Sequence, residues 1–174
     1  MRMLFAAIAV VVLVSPSFAD EKKLTGENTK ITFVGTKPGG KHEGGFKTLT
    51  GTATADGDKL AKVEVTIQVD SIFSDNEKLT GHLKSPDFFG VKDNPTATFK
   101  STKVETTDKG TTITGDLTIC GKTKKVEIPV KVSNSGGTLK IEGAVTIDKK
   151  DFGMVYGGGK IDDAVAITVK VEAK

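Results

Sequence analysis

Hydrophobic and polar residues alternate along most of this chain. Val63, Val65, Ile67 and Val69 are separated by Glu64, Thr66 and Gln68, the period of two that gives a strand one buried and one wet face. The same period returns in Ile113–Ile119, Val126–Val132, Leu139–Ile141, Val145–Ile147 and Val165–Val171. Ile31-Thr32-Phe33 opens the series, and the Thr-rich stretch from Phe46 to Ala55 predicts a long second strand. Turn residues punctuate these runs at Lys37-Pro38-Gly39-Gly40, Asp56-Gly57-Asp58, Asp108-Lys109-Gly110, Asn134-Ser135-Gly136-Gly137 and Gly157-Gly158-Gly159, the chemistry of tight hairpins. Strands of about ten residues joined by short turns predict an all-β antiparallel meander of about eight strands, a number at which a sheet closes around a narrow interior. Pro129 falls inside one such strand. It cannot donate to a ladder, so that position is expected at an edge, a bulge or a gap in the wall.

One segment breaks the pattern. After Asp70, Ser74-Asp75-Asn76-Glu77 has the spacing of a capping box, and Leu79 and Leu83 lie four apart, on one face of a helix. Ser85-Pro86 stops it. The spacing predicts one short helix over about Asn76–Lys84, between the third and fourth strands, followed by a tight turn carrying Phe88 and Phe89. His82 and Phe99 flank that turn in sequence.

The amino terminus reads differently. Met1-Arg2-Met3, an apolar run from Leu4 to Val14 and Ser17-Phe18-Ala19 have the order of an export leader: a cationic start, a core too short to span a bilayer, and a small-x-small cleavage site. The expectation is a signal peptide over 1–19, a mature domain over 20–174, a periplasmic or secreted location and no stable membrane anchor after cleavage. Cys120 is the single cysteine, so no intrachain disulfide holds the domain and a buried core must. The formal net charge is +3, and Arg2 is the only arginine. Lysines and acids are interspersed, which argues against nucleic acid as a partner because phosphate recognition leans on clustered cations and bidentate Arg.

Candidate chemistry is sparse. His42 and His82 are the two histidines. With Glu43 or Asp87 nearby they could form a metal site, but neither has zinc-motif spacing. Cys120 precedes Gly121 at a strand end, with no partner in the sequence to lower its pKa. The Gly-rich stretches match no phosphate-binding fingerprint and introduce no helix. What remains is an apolar interior in which the phenylalanines either fill the middle or line a tunnel.

His82-Leu83-Lys84-Ser85-Pro86-Asp87-Phe88-Phe89, followed by Asn94-Pro95-Thr96-Ala97-Thr98-Phe99, resembles the signature of the YceI-like family of secreted or periplasmic lipocalin-like barrels. Gly45-Phe46 through Gly51, Gly115–Ile119 with Gly121–Lys124, and Thr146–Gly153 fall in the expected order, so the resemblance spans the mature chain. It implies a lipocalin-like barrel that holds a long-chain amphiphile (a polyisoprenoid, an isoprenoid quinone or a fatty amide), with the helical segment covering one end. It implies a binding or carrier protein, not an enzyme, with no cofactor besides such a lipid; pairing into a homodimer is compatible with it. The expected ligand-binding residues are Phe33, Phe46, Ile67, Phe73, His82, Leu83, Phe88, Phe89, Phe99 and Phe152, with His82 either polarising the ligand head group near the mouth or hydrogen-bonded to the adjacent turn. Two departures stand out: Asn134–Gly137 is only a hairpin turn, and no tryptophan is present, where many relatives carry a longer tryptophan-containing insertion, and the Gly-rich Lys37–His42 stretch stands where a more apolar early strand is expected. The competing readings are a filled-core envelope or stress module acting through its surface, and a catalytic barrel using His42, His82 or Cys120.

Overall fold

The structure, a computed structural model, describes residues 19–174; apart from its last residue, the predicted leader lies outside the described residues. Eleven antiparallel strand segments and one α-helix follow in chain order: β1 (Asp20–Thr25), β2 (Thr29–Lys37), β3 (Gly40–Phe46), β4 (Leu49–Asp56), β5 (Lys59–Gln68), β6 (Ile72–Ser74), α1 (Glu77–Leu83), β7 (Thr96–Thr107), β8 (Gly110–Ile119), β9 (Lys122–Ser135), β10 (Thr138–Asp148) and β11 (Ala164–Ala173). The alternation read from the sequence is the alternation of burial. Val63, Val65 and Ile67 are buried, as are Leu139, Ile141 and Ile147, while Glu142 and Thr146 are exposed. Among the described residues no helix is long and apolar enough to cross a membrane.

The strand order explains how eleven segments make a barrel of about eight. A continuous row runs β4-β5-β7-β8-β9-β10-β11-β2-β3. β3 passes into β4 through Lys47 and Thr48 alone, so both ends of the row belong to one bent strand and the sheet returns on itself. β1 and β2 likewise form one strand interrupted at Gly26–Asn28, and β5 and β6 one strand interrupted by the 3-10 turn Val69–Ser71. These interruptions lie side by side. A Cβ on Gly26 would sit 2.0 Å from the Lys47 carbonyl oxygen, and the Lys47 amide donates to the Ser71 carbonyl. Ser71 Oγ donates to the Gln68 carbonyl and accepts from the Thr48 amide, so the polar backbone exposed by the crease is satisfied. The crease bends three neighbouring strands together, which alternation alone could not predict.

Two seams are only half closed: β5 and β7 pair from Gln68↔Thr96 to Glu64↔Lys100 and then part, and β9 and β10 part in the same way. The β9–β10 ladder runs from Thr138↔Ser135 to Gly143↔Val130 and stops there. β10 stays registered with β11 as far as Asp148↔Ala164, and β9 stays registered with β8 as far as Lys122↔Ile119. Pro129 sits at the point of divergence, one residue past the last pair. Its missing N–H ends the ladder on that side, as its place in the sequence suggested. Gly143 lets the strands cross closely before they part: a Cβ there would lie 2.7 Å from Val130 Cγ1 and 3.0 Å from the Pro129 carbonyl oxygen.

The helix is α1, bounded as expected to within a residue, but its cap differs. Asn76 is the N-cap, and its Oδ1 accepts from the Leu79 amide. Ser74 Oγ instead accepts from the Asn76 amide and donates to the Asn76 carbonyl, so the predicted capping box is replaced by a serine turn leading into an asparagine cap. Between β10 and β11 the 3-10 turn Lys149–Phe152 ends at Gly153, whose φ of 85° no branched residue adopts readily. Lys149, 4% exposed, donates from Nζ to Asp163 Oδ1 at 2.5 Å, and Lys150 reaches the other oxygen. Hydrogen bonds from Lys149, then from Lys150, hold the Asp163 carboxyl below its ordinary range.

Two expectations follow. Gly143→Ala should destabilise the barrel by about 1–3 kcal/mol through overpacking against Val130 and Pro129, read as a lower denaturant midpoint. Because the folded-state pKa of Asp163 is depressed, its stabilisation is present above the unfolded value of about 3.9 and is lost as pH falls through the depressed value. The melting-temperature gap between wild type and Asp163→Asn at pH 7 should therefore narrow progressively below about pH 4.

Candidate functional site

The barrel encloses a cavity of about 320 Å³ lined almost wholly by carbon. It extends along β2 from Thr29 to Thr36, roughly 20 Å at the rise of an extended strand. Its wall is the inward face of the strands, including Ile31, Ile113, Leu117, Ile128 and Ile167. The aromatic rings lie flat against this wall because glycines make room for them. Phe33 covers Gly44, its register partner on β3, where a Cβ would come within 2.5 Å of the ring. Phe99 covers Gly115 on β8, again at 2.5 Å. An alanine at either position would drive a ring off the wall and into the lumen.

The helical segment covers one end. Leu79 and Leu83 from α1, with Phe88 and Phe89 from the turn after it, border the cavity. Phe89 meets Phe46 edge-on at 5.8 Å, and Phe46 meets Phe33 at 6.1 Å. Cys120 holds the cap from the opposite wall. It occupies the β8–β9 turn at a φ of 50°, and its Sγ donates to the carbonyls of Phe88 and Phe89 at 3.6 and 3.5 Å. Burial pushes its thiol pKa up, the reverse of what a nucleophilic cysteine needs.

Besides Thr29 and Thr32 along β2, the polar groups lie at the rim beside this cap, where Lys37, His42, Lys149 and Asp162 border the cavity. Thr36 Oγ1 donates to Asp162 Oδ2 at 2.5 Å, and the Asp162 amide donates to the Thr36 carbonyl. His42 Nδ1 lies 2.9 Å from Asp75 Oδ1, and the Glu43 amide donates to Asp75 Oδ2. These contacts, the histidine first, hold the Asp75 carboxyl below its ordinary range. Among the described residues no three His, Cys, Asp or Glu side chains cluster as metal ligands would.

Seven of the expected binding residues border the cavity: Phe33, Phe46, Ile67, Leu83, Phe88, Phe89 and Phe99. Three do not. Phe73, 36% exposed, points outward because Ile72 takes the inward position of β6; its ring stacks under Lys47 Nζ at 5.7 Å. His82 sits outside the cavity wall. Its Nε2 is 2.9 Å from Asp87 Oδ2, and its ring packs edge-on against Phe88 at 5.0 Å and Tyr156 at 4.6 Å. It therefore braces the outside of the cap instead of facing a head group. Phe152, 1% exposed, is buried under the 3-10 turn and borders the open part of the β9–β10 seam. The inward Val and Ile positions that alternation marks as lining form the rest of the wall, whereas the place of His42 and Lys149 at the rim had no local signal.

Comparison with known proteins agrees with this architecture. A YceI-like domain matches residues 23–173. A UPF0312 protein of Pseudomonas aeruginosa is 36% identical over 137 residues, covering 74% of this chain and 72% of its own. Protein YceI of Escherichia coli is 34% identical over 139 residues, with the same coverage. Among solved structures, Burkholderia cenocepacia BcnA superposes with a TM-score of 0.77 at 28% identity, covering 84% of this chain and 96% of that one. A polyisoprenoid binding domain from Saccharophagus degradans shares the fold, with a TM-score of 0.70 at 13% identity, covering 90% of this chain and 99% of that one. With its signature segment forming the cap and its strands forming the apolar wall, the chain belongs to the YceI-like family.

Proposed function

We propose that this protein is an exported carrier that holds the apolar chain of an isoprenoid-like or fatty amphiphile inside the barrel. The observation that carries this reading is the carbon-lined cavity that reaches the surface at a small polar rim. A filled-core module would have no use for such a space, and packing normally eliminates it. Each methylene transferred from water into the lumen contributes about 0.8 kcal/mol, so a long tail binds firmly with few polar contacts. Lys37 and His42 at the rim supply donors for the oxygen of a head group. The name of the Saccharophagus degradans domain, polyisoprenoid binding, supports this ligand class. The order of charges and small residues in Met1–Ala19 supports export to the periplasm or medium.

The reading assigns no chemical step to the site. His42 and His82 are each held by a separate carboxylate, and Cys120 spends its thiol proton on the cap.

Native mass spectrometry of the protein purified from its own host should show a co-purified lipid removable by organic extraction. Re-adding a polyprenol or isoprenoid quinone at a hundred times its Kd should stabilise the stripped protein by about 2.7 kcal/mol, read as a raised melting temperature. No bound lipid and no shift with either compound would sink the carrier reading. Phe99→Asn places an unpaired amide in the lumen and should weaken binding at least tenfold, whereas Phe73→Ala, outside the wall, should leave affinity unchanged. Equal binding by both variants would show that the tail lies elsewhere.

A further inference from the structure

The half-closed β9–β10 seam opens at the capped end of the barrel, where Lys122 of β9 follows the Cys120 turn. Between the diverging strands lies a cleft of about 300 Å³. Consecutive residues line it on both sides, Lys124–Glu127 on β9 and Val145–Asp148 on β10. Consecutive residues of a strand point to opposite faces, so the cleft is bordered by inward and outward side chains alike. Its inner border is shared with the lumen: Val126, Val145 and Ile147 line both.

The cover over this cleft is held at both ends by buried side chains, with Phe152 1% exposed and Met154 beyond Gly153 also packed in the core, so opening it means withdrawing Phe152. At one end Lys149 is buried and tied to Asp163. At the other, Phe152 closes the cleft from beneath the 3-10 turn, and the tie to β9 is the ion pair Lys124–Asp151 at 3.1 Å, with both side chains about half exposed. Exposed pairs of this kind hold weakly. Gly153, with positive φ, follows Phe152, and the Lys122 side chain lies across it, 2.9 Å from where a Cβ would stand. No ladder bonds join Val126–Pro129 to Ala144–Asp148, so parting them further breaks no strand pairing.

We propose that this seam is a lateral portal: the strap Lys149–Gly153 swings away about its Lys149 anchor, and the apolar chain enters the lumen sideways between β9 and β10. The proposal rests on the reading of the lumen as a lipid site. Sideways entry lays the tail along the cavity without threading it past the Phe33–Phe46–Phe89 stack and the Thr36–Asp162 contact at the end-on rim. The substrate class is a flexible, unbranched or isoprenoid hydrocarbon chain.

The test staples the seam. In a Cys120→Ser background, Lys124→Cys and Asp151→Cys are joined by a short bis-methanethiosulfonate linker, which a reductant releases. Stopped-flow fluorescence then follows uptake and release of a nitrobenzoxadiazole-labelled geranylgeraniol. Both rates should fall at least tenfold on linking, recover on reduction, and leave equilibrium affinity within twofold. The same linker between Lys140→Cys and Glu172→Cys, an ion-paired couple across the intact β10–β11 ladder, should change neither rate. Phe152→Ala should speed both. Unaltered rates with the seam linked, or slowing only when Thr36→Cys and Asp162→Cys are linked at the rim, would overturn the portal in favour of end-on entry. If the unlinked protein takes up no probe, the carrier reading itself fails, and the portal with it.

Discussion

Closure of the sheet is the constraint on which the rest of this molecule depends. An open sheet buries one face against another layer; here the only partner for the apolar face is the apolar face of the same sheet. β3 and β4 supply both ends of the row and are one strand, so the inward residues are sealed off without a second layer. No disulfide contributes, because Cys120 is alone and free. What the chain must then solve is geometry: bending long strands round a narrow radius and finishing the two ends. The crease at Gly26–Asn28, Lys47–Thr48 and Val69–Ser71 solves the first, and α1 with the turns behind it solves one instance of the second.

Closure also decides what the interior can be. A ring of about eight strands leaves a channel that side chains can fill or leave hollow. Glycine tips the balance here. Gly44 and Gly115 lie under the rings of Phe33 and Phe99, so two of the largest side chains spend their volume along the wall and not across the lumen. Threonine acts similarly at one end, where Thr29 is buried with its hydroxyl bonded to Asn28 Oδ1. The cavity is thus encoded by small residues opposite large ones, and not by a shortage of apolar bulk.

Much of this was legible in the chain. The period of two in Val63–Val69 and Val165–Val171 gave strand identity and facing directly, and Pro129 marked the place where a ladder fails. The helix was legible from Leu79, Leu83 and Pro86, although Asn76 and not Ser74 caps it. Misplaced residues share a physical cause. In Ser71-Ile72-Phe73 two apolar neighbours compete for one inward position, and parity is settled only by the register Phe46↔Ile72. His82 and Phe152 sit in non-strand segments, where facing depends on what the segment packs against. Neither the Tyr156 stack nor the buried underside of the 3-10 turn has a local signature.

A container for a long tail must also exchange its contents, and a fully bonded barrel resists that. Each ladder bond that stays paired on both sides favours a sealed wall, and a sealed wall admits a tail only through an end. In this chain one end carries the cap, which is bonded to the Cys120 turn, and that turn leads directly into the part of β9 not paired with β10. Cap and seam therefore share a support: β9 is fixed to β8 through its whole early length while its other edge is free. In the β9–β10 pair the missing ladder bonds lie beside the cap, and not at mid-barrel. β5 and β7 part as well, beyond Glu64↔Lys100, while β11 stays paired with β10 and with β2 along most of its length. Within the β9–β10 pair, bonded and unbonded lengths are separated in space, and Pro129 and Gly143 mark the boundary between them.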